Sequence, residues 1–137
     1  MKKIAILCLL FVAGTVSAQK YYTKTGETDF KASVEAFEQV EAKSNSTTVI
    51  LKADSGELAA LLFMKSFHFK VALMEEHFNE NYMDSDKFPK ATFKGNLKDF
   101  NMTDLSATAK EYKLTGTLTV RGKAKAIEST AMVSKNG

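Results

Sequence analysis

The chain has 137 residues, 45% of them hydrophobic, with one proline and one cysteine, a composition that suits one globular domain with its own core rather than a disordered or linker-divided chain. Its formal charge of +3 rests on 19 basic against 16 acidic groups, and discarding Lys2 and Lys3 with the N-terminal segment leaves the two nearly balanced. Near-balance argues against a polyanionic partner such as nucleic acid, which requires a concentrated basic surface.

Lys2-Lys3, ten apolar residues from Ile4 to Ala13 and then "GTVSAQ", with Val16 and Ala18 at small-residue positions, form a secretory signal peptide over residues 1–18 with cleavage before Gln19. Ten apolar residues are too few for a transmembrane span, which needs about 20. Cys8 lies inside this segment, so the processed chain, residues 19–137, has no cysteine and is held by its core rather than by disulfides. Export places it in the periplasm or outside the cell.

From there the hydrophobic period is mostly two. "TDFKASV" alternates through Phe30, Ala32 and Val34. Residues 49–53 and 58–64 are two apolar runs around Asp54-Ser55-Gly56, the signature of a hairpin. Residues 71–83 break the alternation: Val71, Met74, Phe78 and Tyr82 recur every three or four positions with acids between them, which predicts one amphipathic helix. Asp84, Ser85 and Asp86 end it, and Pro89 forces Phe88 towards extended backbone.

Residues 91–97 alternate again through Phe93, Gly95 and Leu97. In the last hairpin Tyr112, Leu114, Gly116, Leu118 and Val120 share one face, Gly122 turns the chain, and Ile127, Ser129, Ala131 and Val133 follow on one parity. Small residues on the dry face, Gly95 and Gly116, fit a tapering or ligand-lined barrel interior better than a filled sandwich. The expected class is all-β with one short helix.

No nucleophile elbow, phosphate loop or nucleotide fingerprint occurs, and Glu75, Glu76 and Glu80 read as the wet side of the helix, so the chain is not read as an enzyme. His68 and His77 lack metal-ligand spacing and no metal is expected. Phe67, Phe69, Met74, Phe78, Phe93, Leu114 and Leu118 are either core or the lining of a lipid tunnel. Lys70, Lys87 and Lys90 flank the helix and its exit, as solvated surface or as contacts to an anionic head group.

Two runs also carry a family resemblance. "SFHFKVALMEEHFNENYMDSDKFPKATFKG" and the later "YKLTGTLTVRGKAK" resemble the YceI-like family of lipocalin-like, polyisoprenoid-binding periplasmic proteins. The resemblance implies an antiparallel β-barrel whose apolar interior holds a long isoprenoid-type lipid, such as a polyprenyl phosphate or a quinone, with no other cofactor. It makes the helix and its "DSDKFPKATF" exit the segment that closes one barrel end. It also implies about two further strands beyond residue 137, so the barrel is expected to be incomplete, with unpaired edges. The competing expectation is a secreted β-domain that uses such an edge to bind a protein partner and holds no lipid.

Overall fold

The computed structural model describes residues 19–32 and 40–136; the proposed signal peptide and Val34 lie outside the described residues. Seven strands form one antiparallel sheet: β1 (Lys20–Ala32), β2 (Val40–Lys52), β3 (Glu57–Phe63), β4 (His68–Phe69), β5 (Lys90–Leu97), β6 (Lys110–Val120) and β7 (Lys123–Val133). The order is β1-β2-β3-β5-β6-β7, and the short β4 pairs with the first half of β2, where β3 no longer reaches. The sheet curls into a half-barrel. Among the described residues its outer strands, β1 and β7, each pair on one side only.

Both expected hairpins form, each turned by backbone that glycine makes accessible. Gly56 closes the β2–β3 turn at φ +77°, donating its N–H to the Lys52 carbonyl at 2.8 Å. Arg121 and Gly122, at φ +51° and +73°, form the two-residue β6–β7 turn, whose handedness matches the twist of the strands it joins. Two register shifts around Gly26 interrupt β1–β2, and a Cβ there would sit 2.8 Å from the Thr47 carbonyl oxygen.

The helix is shorter than its spacing predicts. Only Ala72–His77, here α1, is α-helical; Phe78–Tyr82 continues as a wider π-type turn in which the Met83 N–H reaches back to the Phe78 carbonyl at 2.9 Å. Asn79 holds the widening in place: its Nδ2 donates to the Glu75 carbonyl at 3.1 Å and its Oδ1 accepts from Ser85 Oγ at 2.8 Å. The extra residue in the turn rotates Tyr82 away from the face of Phe78. Tyr82 is therefore 69% exposed, Val71 is the extended residue preceding the helix, and Phe78 alone of the four stripe positions is fully buried.

The main core lies where this segment crosses the end of the sheet. Ala42, Leu62, Met64, Phe67, Phe78 and Ala91 are buried together, with Phe30, Phe69, Met83 and Val120 packed around them. The Phe78 ring centroid stands 4.9 Å from Phe69, 5.6 Å from Phe30 and 5.8 Å from Phe67, in tilted or edge-on arrangements typical of aromatic cores. Asp84, at φ +47°, ends the helical segment, and the Pro89 carbonyl accepts from the Met64 N–H at 2.8 Å, locking the return into β5.

Candidate functional site

Strand pairing sorts the side chains onto two faces. Ala60, Phe93 and Leu118 are opposed across β3, β5 and β6, and Leu58, Gly95, Gly116 and Ile127 form the next rung, extended into β7. Leu97 and Leu114 pair on the same parity. This concave face is apolar, yet beyond Leu97 and Tyr112 most of its large side chains in β5, β6 and β7 are only half-buried. The opposite parity carries Lys94, Asn96, Lys113, Thr115 and Thr117 towards water.

Gly95 and Gly116 do not leave the interior open. The tip of the Phe93 ring lies 2.6 Å from where a Cβ would stand on either glycine, and the Thr115 and Lys94 carbonyl oxygens are closer still. The two glycines are the bed of the Phe93 ring, so the space expected as a taper is occupied by an aromatic side chain.

The proposed lipid contacts fall into two groups. Phe67, Phe69 and Phe78 belong to the aromatic core at the helix end, with Met74 half-buried on α1. Phe93, Leu114 and Leu118 lie half-buried on the concave face, Phe93 directly opposite Leu118.

The three lysines share no single patch. Lys87 lies over the Phe88 ring and Lys90 over the Phe63 ring, each with its ammonium 5.4 Å from the centroid. Lys90 pairs with Phe63 on the convex parity, away from the apolar face. Lys70 borders a shallow groove of about 390 Å³ beside β1 and β2, lined also by Asp29, Lys31, Glu41, Lys43 and the His68 imidazole. Lys31–Glu41 and Lys43–Asp29 each approach to 3.8 Å across that strand pair.

Two cations that sequence reasoning passed over stand on the concave parity instead. Lys123 follows the rung of Val120, and Lys125 that of Leu118, on the open edge β7. Their alternation with Ile127 in the sequence carried the signal. Around the helix, His68 Nδ1 is 3.4 Å from Glu75 Oε1, and Lys65 pairs with Asp86, whose carboxyl is held below the ordinary carboxylate value by that hydrogen bond and charge. Among the described residues no three His, Cys, Asp or Glu side chains converge as metal ligands.

A curled antiparallel sheet with a half-buried apolar concave face and an aromatic plug at one end can hold an elongated apolar molecule along its rungs. The model of the YceI-like domain matches residues 13–137. The chain belongs to the YceI-like family. No curated protein sequence matches this YceI-like chain. Among solved structures, it resembles a polyisoprenoid-binding domain from Saccharophagus degradans implicated in plant cell wall breakdown, with 11% identity and a TM-score of 0.72 over 88% of this chain and 70% of that one. The YceI protein of Campylobacter jejuni is also similar, at 16% identity and a TM-score of 0.46 over 80% of this chain and 53% of that one. A mutant YceI structure aligns at 19% identity and a TM-score of 0.49, over 84% of this chain and 56% of its own. The chain thus spans little more than half the length of these two YceI proteins. The family and the half-barrel fold agree. Among the described residues no helix is long and apolar enough to cross a membrane.

Proposed function

We propose that this YceI-like protein is a non-enzymatic periplasmic carrier that holds a long isoprenoid-type lipid against its concave face. The observation that carries the reading is the face itself: Leu58, Phe93, Leu114, Leu118 and Ile127 are aligned by register and half-buried, which leaves apolar surface in water that a tail would cover. Covering it contributes about 25 cal/mol per Å² of apolar surface removed from water, or about 0.8 kcal/mol per buried CH2. A tail of several isoprene units therefore supplies affinity without any catalytic or charged group. The polyisoprenoid-binding neighbour supports the same reading at the level of fold.

The test is native mass spectrometry with organic extraction of the protein expressed with its own N-terminal segment and recovered from the periplasm. A bound isoprenoid species, released by extraction and absent from a Leu118→Asp variant that still folds, is the expected result. Recovery of folded, empty wild-type protein from the periplasm counts against the carrier.

One observation favours a second reading. The edges β1 and β7 are 13 and 11 residues long, and among the described residues each is paired on one side only, leaving a side to which a partner strand could add. Under that reading the same spectrum contains a protein complex and no lipid.

A further inference from the structure

The outer face of the sheet is not uniformly polar. On its convex parity Tyr22, Ile50 and Ala59 lie side by side across β1, β2 and β3, and Leu61 and Phe63 continue the strip along β3. Tyr22 is 72%, Phe63 48% and Ile50 38% exposed, and none of the three joins the core cluster. Water-facing strand positions elsewhere in the sheet carry polar side chains, as Lys113, Thr115 and Thr117 do on the same parity of β6. Five apolar side chains in register are therefore a patch rather than scattered surface residues.

Charge frames the strip on both sides. Lys20 stands on the same parity of β1, two residues before Tyr22, and Lys90 and Lys94 on the same parity of β5, opposite Phe63 and Ala59. Glu57 is the one acid within this frame, and it is matched by Lys52 at 3.0 Å. Lys20, Lys90 and Lys94 pair with no carboxylate among the described residues. The Lys90 ammonium instead lies 5.4 Å over the Phe63 ring, at the border of the strip.

We propose that this strip is a docking face for an anionic lipid bilayer: Tyr22, Ile50 and Phe63 enter the boundary between head groups and acyl chains, and Lys20, Lys90 and Lys94 meet lipid phosphates. It lies on the reverse of the sheet from the proposed cargo, so the two readings stand or fall separately. Size and charge choose this occupant. Strand spacing and rise give the strip on the order of 200 Å², well below the roughly 800 Å² that each partner of a stable protein complex covers. A second copy would bring the three unmatched lysines against its own. A bilayer needs no complementary shape, so the crest of a convex sheet can rest on it. It also favours this mixture, with aromatic rings at head-group depth and lysine stems that lie along apolar surface while their ammonium groups reach phosphate.

The chain has no tryptophan, so one can be introduced as a reporter. Tyr22→Trp is compared with Tyr82→Trp, since Tyr82 is 69% exposed but belongs to the helical segment. With vesicles of phosphatidylcholine and phosphatidylglycerol in equal parts, Tyr22→Trp emission is expected to move to the blue and Tyr82→Trp emission to stay. Vesicle sedimentation measures partition of the chain without a reporter. Replacing Lys20 and Lys94 together by Gln is expected to lower it roughly 25-fold at low salt, about fivefold per lysine, and added salt should erase that difference. Phe63→Ser is expected to lower it roughly tenfold, while Leu118→Ser, which trims the concave face instead, leaves it unchanged; circular dichroism checks that both remain folded. A blue shift for Tyr82→Trp in place of Tyr22→Trp, equal losses for Phe63→Ser and Leu118→Ser, or no partition of the wild type at low salt overturns the docking face and leaves the carrier reading standing. Equal partition onto pure phosphatidylcholine vesicles overturns the choice of an anionic bilayer.

Discussion

Replacing Phe78 with alanine tests whether the segment that crosses the sheet end is held by this one side chain. Phe78 is 5% exposed and its ring centroid lies 5.6, 5.8 and 4.9 Å from those of Phe30, Phe67 and Phe69, so truncation removes a large buried apolar surface and three aromatic pairs together. Buried Phe to Ala changes cost about 3–5 kcal/mol. Phe30 and Phe69 are themselves only half-buried and free to settle into part of the gap, so the lower end, about 3 kcal/mol, is expected. For a chain of this length that corresponds to a fall of about 12 °C in thermal midpoint. Tyr82→Ala is the matched control, because the π-type turn leaves Tyr82 exposed and its loss should stay within about 0.5 kcal/mol. Urea unfolding followed by circular dichroism measures both, provided the m-values agree. Comparable losses for the two variants, or less than about 1 kcal/mol for Phe78→Ala, would refute the description of the helix end.

Three further outcomes are expected. Gly116→Ala drives a Cβ into the Lys94 carbonyl oxygen and to 2.6 Å from the Phe93 ring, and should lower stability by about 2 kcal/mol or more in urea; because the carbonyl clash is with backbone, Phe93→Ala in the same chain should not restore it. Lys125→Val removes a charge on the concave parity of the open edge β7, and sedimentation should then detect association that the wild type resists, as inward charges on edge strands oppose strand pairing. Asp86 has its folded-state pKa lowered by the hydrogen bond and charge of Lys65, so its contribution is present above the unfolded carboxylate value and lost as pH falls through the lower folded value; the difference between wild type and Asp86→Asn should be full at neutral pH and shrink across that acidic window, and a difference that stays constant or grows on acidification would contradict the assignment.

Much of this architecture was legible in the chain, because strand alternation is a direct consequence of one wet and one dry face. The turns at Gly56 and at Arg121-Gly122, the strand through Phe93 and the parity of Leu114 and Leu118 all follow from it. The same period of two puts Lys90, one of the head-group candidates, on the side opposite Ala91. Other features depend on interactions that no local pattern encodes. A 3.6-residue period puts Tyr82 beside Phe78, but the Asn79–Ser85 hydrogen bonds and the wider turn separate them. The two-residue β4 exists because β2 is longer than β3 and offers it a free side, a fact of tertiary register. Gly95 and Gly116 looked like room for a ligand, and only the path of the Phe93 ring shows what fills it.

The most direct test of the carrier account is methyl NMR of the isotope-labelled protein titrated with an isoprenoid lipid. Leu58, Leu114, Leu118 and Ile127 on the concave face are expected to shift with saturable, common affinity, while Ile50 and Leu61 on the convex parity stay still. Shifts confined to the convex methyls or to the β1 and β7 edges, or no saturable shift at any lipid concentration, would contradict binding on the concave face.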